Sequence, residues 1–319
     1  MTDNSQKNPP ADSEDRRTRL TVLVALAANL VIAVAKAIGG LFAGSPALLS
    51  EAAHSVADSL NEVFLLAALR RSRRPADRRH PFGYGKERFF WSLLAAVGIF
   101  VMGGCFSFFQ GFEALTQGGG EESRTGYVAG LAVLGVALLA EGSSLARALH
   151  QVRAQPGEGI GSDPALRTVV AEDGTAVIGV LLAAGGMVAH MVTGDIVWEA
   201  AASLTIGLLL VYVAFSLGRS ARDQLIGEAA DPELHRGIRE LLTSQPEIDY
   251  LAALHTMRLG LHSTLVAARV DLVPGIDSER LELVSERIKR AVQERWPEAD
   301  QVFLDVVEAP RRVRDERPA

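Results

Sequence analysis

The chain has 319 residues, 48% of them hydrophobic and 22% charged, with a formal net charge of -6. The apolar residues are gathered into blocks, so the net charge averages basic connections with an acidic remainder and says little about partners. One cysteine, Cys105, excludes an intrachain disulfide framework and a Cys-rich zinc site; in the apolar run FVMGGCFSFF it reads as a small buried hydrophobe.

Residues 1–19 are polar, hold two prolines and mix acids with arginines, and are expected to form a disordered tail. The tail lacks the apolar stretch of a secretory signal. Its acids (Asp3, Asp12, Glu14, Asp15) speak against a mitochondrial transit peptide. Six segments then approach the roughly 20 apolar residues needed to cross a bilayer. They are Leu20–Ala43, Pro46–Leu69, Phe89–Leu115, Tyr127–Leu149, Arg167–Val192 and Ile196–Leu217. The connection from Arg70 to Arg88 carries eight Lys or Arg against two acids, whereas the connections after the first, third and fifth spans are nearly free of them. The positive-inside rule therefore predicts cytoplasmic termini and cytoplasmic even-numbered loops. The basic loop serves as a topology determinant beside anionic headgroups, not as a nucleic-acid surface.

From Arg219 charged and apolar residues alternate, as in a soluble domain. Pro232–Leu242 and Ser278–Glu294 read as amphipathic helices, and Asp249–Leu259, Thr264–Leu272 and Gln301–Val307 as strands, with Gly260 in the first turn. The expected fold is an all-α six-helix transmembrane bundle (20–218) followed by a small cytoplasmic α/β domain in the order α-β-β-α-β (219–309), with a frayed tail over 310–319. So small a core makes pairing with a second copy plausible.

Ionisable groups inside a span cost about 2.5–3.5 kcal/mol each on insertion scales. His54 and Asp58 are four residues apart, on one helix face, where an imidazole and a carboxylate make half of a tetrahedral site for zinc or a similar ion. A hydrogen-bonded pair that only stabilises the bundle has the same spacing. Glu172 and Asp173 lie inside the fifth span and point about 100° apart, so one is expected to face the second span and the other a neighbouring helix or an aqueous path. A bound dication relieves the cost of burying them. Lys36 is expected to snorkel or pair with an acid, Glu51, Glu62, Glu113 and Glu141 to line a vestibule or an interface, and His190 to be incidental. His255 and His262 flank Gly260 and are two ligands short of a regulatory site; His80 and His150 lie in connections.

Three segments carry a family resemblance: GSPALLSEAAHSVADSLNEVF (44–64), HPFGYGKERFFW (80–91) and DQLIGEAADPEL (223–234). Together they resemble the cation diffusion facilitators, which export zinc and related divalent ions. His54 and Asp58 fall on the His-x-x-x-Asp motif of the family's second span. Most members repeat that motif in the fifth span, but here Val169 stands four residues before Asp173. The Glu172–Asp173 pair is instead similar to the branch containing the mitochondrial-type zinc transporters of animals and bacterial relatives. The resemblance implies a homodimer exchanging Zn2+ for protons by alternating access, with His54, Asp58, Asp173 and Glu172 as metal ligands and no organic cofactor. An oxygen-rich set brings Mn2+, Fe2+ and Co2+ within range. A non-transporting sensor or partner subunit is the main rival. An intramembrane metalloenzyme is disfavoured for want of a second catalytic motif. A bacterial cytoplasmic membrane is the expected location.

Overall fold

The computed structural model describes residues 11–118, 124–154, 164–261 and 263–308. These fall into two compact units, one built from residues up to 67 together with 91–219, the other from 68–90 together with 220 onwards. The basic loop, assigned by sequence to the membrane part, thus packs with the second unit.

The first unit is helical: α1 (Ala11–Ala43), α2 (Pro46–Arg71), α3 (Glu87–Gly98), a π-helical stretch Ile99–Cys105, α4 (Phe106–Gln117), α5 (Arg124–Ala154), α6 (Pro164–Thr193) and α7 (Val197–Ile226). The third expected span is the continuous rod made by α3, the π stretch and α4. Helix α1 takes in residues from Ala11 onward, part of the stretch expected as a tail. Among the described residues, five rods are long and apolar enough to cross a membrane: the segments within α1, α3–α4, α5, α6 and α7. Helix α2 is not among them.

The core of this unit gathers Leu48, Ile99, Leu134, Val180, Met187, Ile206 and Leu210. Its outer surface is at least as apolar: Leu41, Phe42, Phe112, Val136, Leu139, Val192 and Phe215 all lie exposed. A soluble protein does not present apolar surface on that scale, whereas lipid requires it. Small residues let the helices close up. A Cβ on Gly111 of α4 would stand 2.7 Å from Leu204 Cγ and 3.0 Å from the Ala200 carbonyl of α7.

The second unit follows the expected order: α8 (Pro232–Thr243), β1 (Ile248–Arg258), β2 (Thr264–Leu272), α9 (Ser278–Arg295) and β3 (Gln301–Val306). The sheet order is β1-β2-β3, antiparallel between β1 and β2 and parallel between β2 and β3, with α9 as the crossover. Both helices begin at a capping aspartate: Asp231 accepts from the Glu233 amide and Asp277 from the Arg280 amide, each at 2.8 Å. Leu234, Ile238, Leu242, Val266, Val270, Ile288 and Val292 fill the core.

The 68–90 loop belongs to this unit by contact. A Cβ on Gly85 would run into the Leu259 carbonyl and stand 3.0 Å from Gly260 Cα. Phe82 meets Phe303 edge-on at 6.4 Å, and Lys86 Nζ donates to the Leu225 carbonyl at 3.4 Å. Within the loop the Tyr84 hydroxyl donates to Asp77 at 2.7 Å and holds that carboxyl below its usual range. The Arg287 guanidinium, 2.6 Å away, does the same to Glu247.

Candidate metal-transport site

Helix α2 carries its polar residues at spacings of three and four: Glu51, His54, Ser55, Asp58, Asn61 and Glu62. Such spacing makes one stripe, and the stripe is turned inward. His54 is 2% exposed, and its Nε2 lies 3.1 Å from Asp58 Oδ2. The predicted i,i+4 pair is therefore formed. Its other nitrogen, Nδ1, is buried with no hydrogen-bond partner among the described residues.

Asp58 lies within electrostatic reach of three further carboxyls: Glu62, one turn on, and Glu172 and Asp173 of α6. The two α6 acids diverge as their 100° offset requires. Glu172 Oε1 accepts from Asn61 Nδ2 of α2 at 3.0 Å. Asp173 faces the Ser144 side chain of α5, while its Oδ2 is buried without a partner among the described residues. The acid facing the second span is thus Glu172, and the neighbouring helix met by the other is α5. No three His, Cys, Asp or Glu side chains among the described residues stand close enough to hold one ion together. The structure brings His54 and Asp58 into contact and gathers Glu172 and Asp173 around Asp58, short of a closed coordination shell.

Partners across helices escaped sequence reasoning. Asn29 Nδ2 of α1 donates to Glu62 at 2.9 Å. Of the two expectations for Lys36, pairing with an acid holds and snorkelling does not. The lysine is fully buried, with Nζ 2.9 Å from Glu51, 3.0 Å from Ser55 and 3.1 Å from Glu141 of α5. Nor is His190 incidental, for it is buried against Glu199 of α7 at 2.7 Å. The signal available in the sequence was insertion cost: a lysine or histidine deep in an apolar run asks for a partner that spacing cannot name. In the second unit, His255 lies exposed on β1, and His262 is outside the described residues.

Long helices that are apolar outside and lined with carboxylates inside define a multi-pass membrane protein organised around a polar interior. The family model of the cation efflux transmembrane domain matches residues 22–226, and the chain belongs to that family of transporters, the cation diffusion facilitators. Over 291 residues it is 32% identical to metal tolerance protein C4 of Arabidopsis thaliana, covering 88% of this chain and 62% of that one. Over 259 residues it is 30% identical to the mitochondrial proton-coupled zinc antiporter SLC30A9 of Xenopus laevis, covering 78% of this chain and 46% of that one. It is 23% identical over 305 residues to the manganese efflux system protein MneP of Bacillus subtilis (strain 168), covering 93% and 98%. The chain thus spans about half to three fifths of the length of the first two relatives.

Proposed function

We propose that this protein exports a divalent cation, zinc foremost, in exchange for protons, and that the ion is held by His54, Asp58, Glu172 and Asp173. The observation that carries the reading is the position of Asp58, paired with a buried imidazole and within reach of two acids on a second helix. Imidazole and carboxylate bind a dication only when deprotonated, so metal and protons compete for the same atoms, and an inward proton can displace an outward ion. A relative named as a proton-coupled zinc antiporter supports the pairing of ion and proton.

The reading takes α2 as a sixth span. Its 26 residues reach about 39 Å at the rise of an α-helix. Its polar side chains are met from inside the bundle, Glu51 by Lys36, Glu62 by Asn29 and Asn61 by Glu172, which leaves apolar residues such as Val56, Val63 and Leu65 exposed outward. Six spans and the basic even-numbered connections put both termini in the cytoplasm, in a bacterial inner membrane. Two copies pair through the bundle and the soluble unit.

The test is metal-driven proton movement in proteoliposomes. Zinc should acidify or alkalinise the lumen in the direction of exchange, and His54→Ala and Asp58→Ala should each abolish the signal. Normal flux in both would sink the assignment. A protein that only senses metal or partners another would give no flux even in its native form. Manganese is the second cargo to try, because carboxylate and amide oxygens from Asp58, Asn61, Glu62, Glu172 and Asp173 outnumber the single imidazole. The relative named as a manganese efflux protein points the same way.

A further inference from the structure

At the end of the bundle where α2, α5 and α7 begin and α6 ends, four side chains converge from four elements. Glu199 in the first turn of α7 is fully buried, and its carboxylate accepts from the hydroxyls of Ser45, just before α2, and Tyr127, at the start of α5. His190 in the last turn of α6 brings Nδ1 to 2.7 Å from Glu199 Oε1 and 2.9 Å from the Tyr127 hydroxyl. The Tyr127 and His190 rings meet edge-on at 5.6 Å. All four residues are at least 97% buried.

We propose that Glu199, His190, Tyr127 and Ser45 form a second, transient binding site for the transported divalent cation, separate from the site at Asp58. The inference rests on the export reading given above. Separation follows from helix rise: Ser45 is nine residues before His54, about 13 Å away, and His190 seventeen after Asp173, about 25 Å. No ligand shell spans such distances.

Three arguments favour an ion site over a structural network. First, a buried carboxylate–imidazole pair is commonly no more stabilising than apolar residues of similar volume, so stability gives little reason to keep one in a membrane bundle. Second, the cluster offers an imidazole nitrogen and carboxylate oxygens, the donors that divalent ions take, with two hydroxyls beside them. Third, the geometry is close. Ligands about 2.0–2.2 Å from a tetrahedral ion stand about 3.3–3.6 Å from one another, so the present 2.7 and 2.9 Å gaps must widen by less than about 1 Å and the tighter contacts of Glu199 with Ser45 and Tyr127 by somewhat more. Binding needs Nδ1 free of its proton. One carboxylate here, against Asp58 and the three acids around it, makes this the weaker site, as release demands.

The test is equilibrium dialysis of purified full-length protein in detergent against zinc. The background is a His54→Ala/Asp58→Ala double variant, which removes the first site. Adding Glu199→Gln, which keeps shape, or His190→Ala should remove one bound ion per protomer or weaken it by about tenfold or more. Tyr127→Phe should weaken it less. Cobalt in the double variant should give a d–d absorption band that Glu199→Gln alters, which reads the site even if His190→Ala fails to fold. Unchanged zinc stoichiometry and affinity together with an unaltered cobalt spectrum overturn the proposal. Normal transport by the double variant would instead overturn the assignment at Asp58, and the dialysis would still report on Glu199 by itself.

Discussion

The two units solve the same problem in opposite senses. In the second unit apolar residues such as Ile238 and Val292 lie inside and most charges lie outside, where local devices satisfy them: an aspartate caps each helix, and the half-exposed Arg287 covers the nearly buried Glu247. In the first unit Lys36, Glu51, His54 and Glu199 are buried while Phe42, Phe112, Leu139 and Leu208 face outward. Charges that face water can be neglected one at a time. Charges that face one another across helices cannot, because removing one strands its partner where no water is available. The difference lies in the solvent each unit was folded for, and it predicts where substitutions will hurt.

The sharpest break is in function. Asp58→Ala should abolish metal-driven proton flux in proteoliposomes while the protein still elutes as a folded species, since Asp58 keeps some solvent access and its loss relieves repulsion among neighbouring acids. Next comes Lys36→Met, which leaves Glu51 and Glu141 without their cation and should cost about 3–5 kcal/mol, seen as a collapse in folded yield and thermal stability in detergent. Adding Glu51→Gln and Glu141→Gln should restore much of the loss; no recovery would mean that the lysine packs rather than neutralises.

A third contrast pairs one leucine-sized truncation in each unit. Ile238→Ala, at a fully buried position, should destabilise the second unit by about 2–5 kcal/mol, whereas Leu208→Ala, 62% exposed on the first, should change the unfolding of reconstituted protein little. Equal effects would erase the inside-out distinction. The smallest effect is expected at Glu247→Gln. The native carboxyl is held below its usual range by Arg287, so its stabilisation is present at neutral pH and fades as the pH falls through the native pKa. The variant should therefore melt about a degree lower at pH 7, with the gap closing in acid.

The soluble unit was nearly all legible beforehand because its signals are local. Asp231 before Pro232, Asp277 before an amphipathic run, Gly260 between two alternating segments: each states its element within a few residues, and the observed boundaries follow within one or two. The apolar rods were legible for the same reason. Helix α2 was legible as a helix, Pro46–Leu69 expected against Pro46–Arg71 found, although its polar stripe lowers its hydropathy below that of the five apolar rods. At the site, the His54–Asp58 contact could be read from a spacing of four. The pairings of Glu172 with Asn61, Asp173 with Ser144 and Glu199 with His190 could not, because they depend on how helices far apart in sequence are rotated towards one another. The sequence marks such residues as costly and leaves their partners unnamed.

A π turn takes in one more residue per turn than an α-helix, so the stretch Ile99–Cys105 works as a phase shift along an otherwise regular rod. Every side chain from Phe106 onward sits about 100° round the axis from where an unbroken helix would carry it. That offset turns Ser107, Gln110, Gly111 and Ala114 inward and leaves Phe108, Phe109 and Phe112 outward. Deleting one residue from the stretch would leave length, hydropathy and charge almost untouched. It would also swing Gly111 away from Ala200 and bring a phenylalanine towards that close contact between α4 and α7.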